Sequence, residues 1–192
     1  MNRMGGSMTL DAPNLALLPS AEAARHVQTL DMLRAISAAL ASDGDVTVLL
    51  RHVVERAAAF MEADHGAVWV WDEATSRLHP RAWVGFGDWI RTLVRSPGDG
   101  LAGLIARDRK GQRIADYPAH PAACREMLRR VAIRTAVGQP LLFQGRFLGA
   151  VILGRSRAQP AFTESDLATL DLFAAAAACA IEKAALYGRL LA

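Results

Sequence analysis

The sequence predicts an α+β fold whose sheet is antiparallel. Three observations carry that reading: two pairs of short, β-branched and apolar runs, each pair joined by a tight turn; helical periodicity before the first pair and after the last; and no strand–helix–strand pattern of the kind a doubly wound parallel sheet requires. The chain has 192 residues, 52% of them hydrophobic and 21% charged. That is ordinary globular material, enough for one well-buried core and too little for two comfortable ones.

Taken in order, residues 1–19 are expected to form a flexible tail, because Gly, Pro, Asp and Asn interrupt every apolar stretch and no signal-peptide core emerges. The domain is expected over 20–192. Ser20 is placed to cap a helix through AEAARHVQTLDMLRAISAALAS, with Val27, Leu30, Leu33, Ile36 and Leu40 at helical spacing. Ser42-Asp-Gly-Asp45 breaks and recaps the chain, and VTVLLRHVVERAAAFM continues as a second amphipathic helix.

From His65 the period changes to that of strands. HGAVWVW and RLHPRAWVG flank the turn-rich DEATS and predict a hairpin, in which Pro80 must sit at an edge or a bulge because it cannot donate to a ladder. Trp69 and Trp71 share one face of the first strand by period two and read as core. RTAVGQPLLF and RFLGAVILG flank Gln144-Gly145 and predict a second hairpin. Between the hairpins, FGDWIRTLV, LAGLIARD, the short QRIAD and YPAHPAACREMLRRVAI predict an α-rich insertion, helical again from about Pro121. Thr163 and Asp166 have the spacing that starts a closing helix, along which Leu167, Leu170, Ala174, Ala177, Ile181, Ala184, Gly188 and Leu191 alternate three and four apart.

Inside the insertion, Gly98, Gly100 and Gly103 repeat the G-x-G-x-x-G spacing of dinucleotide loops, with Asp116 where a ribose-binding acid would stand. The context contradicts that reading. Pro97 precedes the first glycine, and the flanking hairpins are antiparallel, whereas the fingerprint needs a buried strand entering the loop within a parallel unit. The glycines are better explained by a tight turn followed by a closely packed helix.

Composition excludes further classes. The formal net charge is +3, but the arginines are dispersed among acids, without the basic run of a nucleic-acid footprint. Cys124 and Cys179 are the only cysteines, too few for a disulfide framework or a four-cysteine zinc site, and a reducing cytoplasm is expected. No metal site is predicted, since no three or four ligands share a suitable spacing. The alanine-rich run from Leu170 to Ile181 is too short to span a bilayer, so no membrane association is expected.

At this point a resemblance can be stated. Two helices, a hairpin, GDGLAG, RIADYP, VGQPLLFQGRFLGAVILG and PAFTESDLATLDLFAAAAACAIEKAALY, in that order, resemble a GAF domain of bacterial signalling proteins. The resemblance implies a twisted antiparallel sheet of five or six strands, terminal helices on one face, and a ligand pocket under helices and loops on the other. Such folds host many functions, so each is weighed at its residues. Free methionine sulfoxide reductases place cysteines on the glycine turn and near the insertion; Cys124 matches the second position, but Ala102 stands on the turn. Bilin-binding members attach chromophore through an insertion cysteine with an adjacent histidine, whereas Arg125 follows Cys124 and His120 lies across Pro121. Haem through His120 or another histidine has no defined pocket to support it. The Asn-Lys-Phe-Asp-Glu arrangement of cyclic-nucleotide sensors is missing.

The reading that follows is a non-catalytic sensory or regulatory domain of a sensor histidine kinase or transcription regulator, with Cys124 a spectator thiol and no cofactor identified. A small-molecule ligand is expected near Trp83, Phe86, Trp89, Asp116, Tyr117, His120 and Arg134, which combine apolar walls with a few polar groups. Homodimerisation is expected through the terminal helices, where Ile181 lies in the seam. The alternative is an enzyme or chromoprotein centred on Cys124.

Overall fold

The computed structural model describes residues 45–156 and 160–190. The expected tail over 1–19 and the helix following Ser20 lie outside the described residues. The second expected helix is present as α1 (Val46–Phe60), started by Asp45, whose Oδ1 accepts the Thr47 N–H at 2.8 Å. Five strands follow: β1 (His65–Asp72), β2 (Arg77–Val84), β3 (Gln112–Ile114), β4 (Thr135–Phe143) and β5 (Arg146–Arg155). All neighbours pair antiparallel, in the order β2-β1-β5-β4-β3. Between β2 and β4 lie α2 (Gly100–Asp108) and the one-turn α3 (Arg125–Leu128), and α4 (Glu164–Leu190) closes the chain. The fold class is the α+β, antiparallel arrangement that the sequence predicts.

Both hairpins follow from local chemistry. Pro80 lies on the edge strand β2 opposite Trp69, and the register slips between Val68 and Trp69, so the missing donor coincides with an irregularity at the rim. Gln144 and Gly145 form the second turn with φ of +49° and +79°, the two positive values of a type I′ connection, whose twist matches the strands it joins. Thr163 and Asp166 form a reciprocal cap. Thr163 Oγ1 accepts the Asp166 N–H at 3.2 Å, and Asp166 Oδ2 accepts the Thr163 N–H at 2.7 Å.

The sheet separates two apolar layers. On one side α1 and α4 bury Leu50, Val54, Ala57, Leu170, Phe173, Ala174 and Ala177. The three-four seam of the closing helix is thus taken up, at Leu170, Ala174 and Ala177, by packing within the chain itself. On the other side, Ala67 and Trp69 of β1, Ala136 of β4 and Ile152 of β5 join Leu101 and Ile105 of α2 in a second cluster. Arg155, buried at the end of β5, donates to the Met61 and Pro160 carbonyls at 2.7 and 2.8 Å and lies 4.0 Å over the Phe162 ring.

The insertion is less helical than expected. FGDWIRTLV forms only a 3₁₀ turn at Asp88–Thr92, and QRI becomes the edge strand β3. The helix expected from Pro121 shrinks to Arg125–Leu128, because residues 117–123 close two consecutive turns, His120 N–H to Tyr117 O and Ala123 N–H to His120 O. The glycine loop behaves as the tight-turn reading requires. Gly98 and Gly100 have φ of +88° and +67°, and a Cβ on Gly103 would lie 2.2 Å from the Ser96 carbonyl oxygen. Gly100→Ala is therefore expected to lose about 1–2 kcal/mol from its left-handed backbone alone, since its nearest neighbours are 3.8 Å away. Gly103→Ala is expected to lose more, because backbone has to move. Urea denaturation of the two variants checks the order.

Candidate functional site

The second apolar layer is not filled completely. A recess of about 270 Å³, counting the solvent it opens onto, lies between the sheet and the insertion, with no more than about one water's room enclosed. Ala136, Ile152 and Gly154 contribute its sheet side, and Leu101, Met127 and Ile133 contribute from the insertion. His65, Phe86 and Tyr117 complete the wall together with Leu153. None of the lining residues is an Asp, Glu, Lys or Arg.

The two polar lining side chains are fixed by identifiable bonds. His65 Nδ1 lies 2.8 Å from the Gly85 carbonyl oxygen. A carbonyl can only accept, so Nδ1 carries a proton, and the neutral imidazole tautomer that fits this bond has its lone pair on Nε2. Its ring packs against Phe86 at 4.9 Å between centroids. Tyr117, almost wholly buried, accepts the Cys124 N–H on its hydroxyl at 3.1 Å. Burial pushes the Tyr117 phenol above its ordinary value near 10, against the opposing pull of that N–H.

Of the seven residues expected around a ligand, the structure brings Phe86 and Tyr117 into the recess. Trp83 and Trp89 are half-buried against the same cluster, Trp89 edge-on to Phe86 at 5.9 Å. Arg91 lies over Trp83 and Arg130 over Trp89, at 5.1 and 5.0 Å, so both indoles present a guanidinium outward. Asp116 is exposed and its Oδ1 accepts the Ala119 N–H, which makes it a turn residue. His120 Nδ1 accepts the Ala122 N–H at 3.1 Å, so that nitrogen is committed within its own turn. Arg134 is exposed, its backbone joined to Arg155 and Tyr117. None of these last three lines the recess. His65, Leu101, Met127, Ile133 and Ile152 were absent from the expectation because each looks like an ordinary strand or core residue in its own segment.

Behind Leu101 lies a buried polar cluster. Arg95, 8% exposed, donates to Cys124 Sγ at 2.8 Å and to Asp99 Oδ2 at 3.2 Å, and its Cζ stands 5.9 Å from the Trp69 ring. Cys124 Sγ also accepts the Met127 N–H at 3.4 Å. Cys124 is buried, as expected of a spectator thiol, but its sulfur is the acceptor that partners a buried guanidinium. Ala102 leaves the neighbouring turn without a thiol, and Cys179 lies on α4, in the other layer. Among the described residues, no three His, Cys, Asp or Glu side chains cluster as metal ligands would, and no helix is long and apolar enough to cross a membrane.

A five-stranded antiparallel sheet with α1 and α4 on one face and a recess roofed by the insertion on the other is the arrangement that the sequence resemblance implies. Residues 43–182 match the GAF domain family. The chain belongs to the GAF family. This GAF domain is similar to that of a phosphoenolpyruvate-protein phosphotransferase from Coxiella burnetii, with 25% identity and a TM-score of 0.75 over 85% of this chain and 98% of that one. It also shares its fold with the free methionine-R-sulfoxide reductase of Neisseria meningitidis, at 18% identity and a TM-score of 0.68 over 90% and 96% of the two chains. The second GAF domain of DevS from Mycobacterium smegmatis is 21% identical, with a TM-score of 0.63 over 76% and 99%.

Two outcomes follow from the site chemistry. Cys124→Ser keeps an acceptor for Arg95 and is expected to change stability by less than about 1 kcal/mol, whereas Cys124→Val strands the guanidinium and is expected to cost about 2–3 kcal/mol by thermal or urea unfolding. Because the folded Tyr117 has a raised pKa, its contribution is fully present below the unfolded value near 10 and is lost as pH rises beyond it. Tyr117→Phe is expected to flatten that alkaline loss, measured by denaturation between pH 8 and about 11.

Proposed function

We propose that this GAF domain is a non-catalytic sensory or regulatory module of a cytoplasmic bacterial signalling protein, of the sensor histidine kinase or transcription regulator type, and that it works as a homodimer. The observation that carries the reading is the position of β5. Ile152 and Leu153 both line the recess, and Leu153 and Val54 of α1 both crowd the space over Gly66, where a Cβ would lie 2.8 Å from each. The sheet, chiefly β5 with Ala136 of β4, is therefore the wall between the recess and the terminal-helix layer, so a ligand that displaces Ile152 acts on what α1 and α4 rest against.

Since Leu170, Ala174 and Ala177 are used within the chain, the surface left for a partner subunit on α4 contains Leu172 and Leu186, each 50% exposed. Val48 and Phe60 add exposed apolar area on α1. The wild-type domain is expected to be dimeric by light scattering at micromolar concentration. The double variant Leu172→Asp, Leu186→Asp is expected to be monomeric with an unchanged circular dichroism spectrum. A monomeric wild type, or a variant that stays fully dimeric, overturns the transmission route.

The Arg95–Cys124 contact favours a second reading, in which the thiol does chemistry. Peroxide-treated protein that acquires a modified Cys124, or turnover of free methionine sulfoxide abolished by Cys124→Ser, would establish it in place of the first.

A further inference from the structure

The chemistry of the recess narrows what can occupy it. Resting on the ligand-binding part of the proposed function, we infer that the recess takes a small, uncharged, largely apolar molecule carrying one hydrogen-bond donor, and that His65 Nε2 is the atom that recognises it.

Charge is decided by the lining. No carboxylate, ammonium or guanidinium lines the recess. The two buried arginines nearby lie outside the lining and are already bonded, Arg95 to Asp99 and Cys124 and Arg155 to the Met61 and Pro160 carbonyls. An anion or a zwitterion entering this space would lose its hydration without gaining a counter-charge, which costs several kcal/mol per ion. Nucleotides and free amino acids are poor occupants for the same reason.

Polarity is decided by His65. Its Nδ1–H is fixed on the Gly85 carbonyl, so in the matching neutral tautomer Nε2 is an acceptor, and it has no hydrogen-bond partner among the described residues. Tyr117, the other polar lining residue, already holds the Cys124 N–H on its oxygen. A ligand donor on Nε2 would therefore satisfy the ring without disturbing the protein's own bonds, and an otherwise identical ligand without that donor would forgo it.

Size and entry follow from the loop. The enclosed room is about that of a single water, so even an occupant of one ring or a fused pair enters only if the wall opens. Phe86 closes part of the wall and stands between Gly85 and Gly87, with Gly85 at φ +74°. The side chain on that two-glycine segment is the one placed to swing aside.

Indole, indene and indole-2-carboxylate form a matched set of probes: a donor, the same shape without the donor, and the same rings with a charge. Binding is read by calorimetry and by shifts of the Met127, Ile133 and Ile152 methyl resonances. Indole is expected to bind about tenfold more tightly than indene, and the carboxylate at least tenfold more weakly than indole. His65→Asn retains a donor for Gly85 but lacks Nε2, and is expected to bring indole down to the level of indene while leaving indene unchanged. His65→Gln, which offers an oxygen near the Nε2 position, is expected to restore part of the gap. Ile152→Trp fills the recess and is expected to abolish binding of all three. No saturable binding by any probe in the folded wild type overturns the recess as a ligand site, and with it the sensory reading. Saturable binding in which indole and indene are equal, the carboxylate is preferred, or the indole advantage survives His65→Asn leaves the site standing and overturns the ligand class assigned to it. So does a stoichiometric haem complex that is lost in His65→Asn, because Nε2 would then be a metal ligand.

Discussion

The fold depends on how Arg155 ends the central strand. β5 pairs with β1 on one side and β4 on the other, so its last residue sits where every layer converges. The guanidinium there is buried and bonded to two carbonyls, one just after α1 and one just before α4, while its face covers Phe162. Charge-assisted bonds of this kind are stronger than neutral ones, and their planar geometry fixes direction as well as distance. Both terminal helices are thereby tied to one end of one strand. The backbone of Arg155 continues the connection to the other face, where its carbonyl accepts the Arg134 N–H and the Arg134 carbonyl accepts the Tyr117 N–H.

That chain of bonds explains why the recess lies where it does. Tyr117 is held from below by Arg134 and from above by the Cys124 N–H on its hydroxyl. Cys124 in turn is held by Arg95, whose backbone pairs with Leu78 of β2. The insertion is thus pinned at its two ends by polar contacts, and the apolar side chains between them, Leu101, Met127 and Ile133, meet the sheet without filling the space completely. The rim is different in character. Phe86, Trp89 and Trp83 are half-buried, and the arginines over the two indoles keep them from presenting bare apolar surface to water.

Local signals in the sequence carried the architecture further than they carried the site. The strands of both hairpins, the edge position of Pro80 beside a register slip, the Gln144-Gly145 turn, the Thr163–Asp166 cap and the tight approach at Gly103 all follow from periodicity or backbone chemistry within a few residues. The three-residue β3 has too short a run for alternation to show, and the helix expected from Pro121 yields to turns that no propensity reveals. The recess residues are legible only after folding. His65 opens a strand, Ile152 belongs to a continuous apolar run, and the Arg95–Cys124 contact joins positions 29 residues apart. Phe86 and Tyr117 were found because aromatic residues in a loop-rich insertion stand out; Asp116, His120 and Arg134 stood out equally, but as polar residues of turns they serve those turns. Of the expected α4 seam, Leu170, Ala174 and Ala177 are buried within the chain against the sheet and α1, while its last positions, Gly188 and Leu191, lie outside the residues whose side chains are described.

The two outer strands of the sheet carry one more implication, for solubility. β2 has a proline and a register slip, and its Leu78 is already bonded to Arg95 on the far side, while β3 offers only three residues, with Arg113 drawn away to Glu164 and the Phe162 carbonyl. Neither rim presents a long, flat row of unpaired amides on which another chain could template itself. Rims of this kind are poor templates for edge-to-edge extension of the sheet, and they steer self-association away from strand edges.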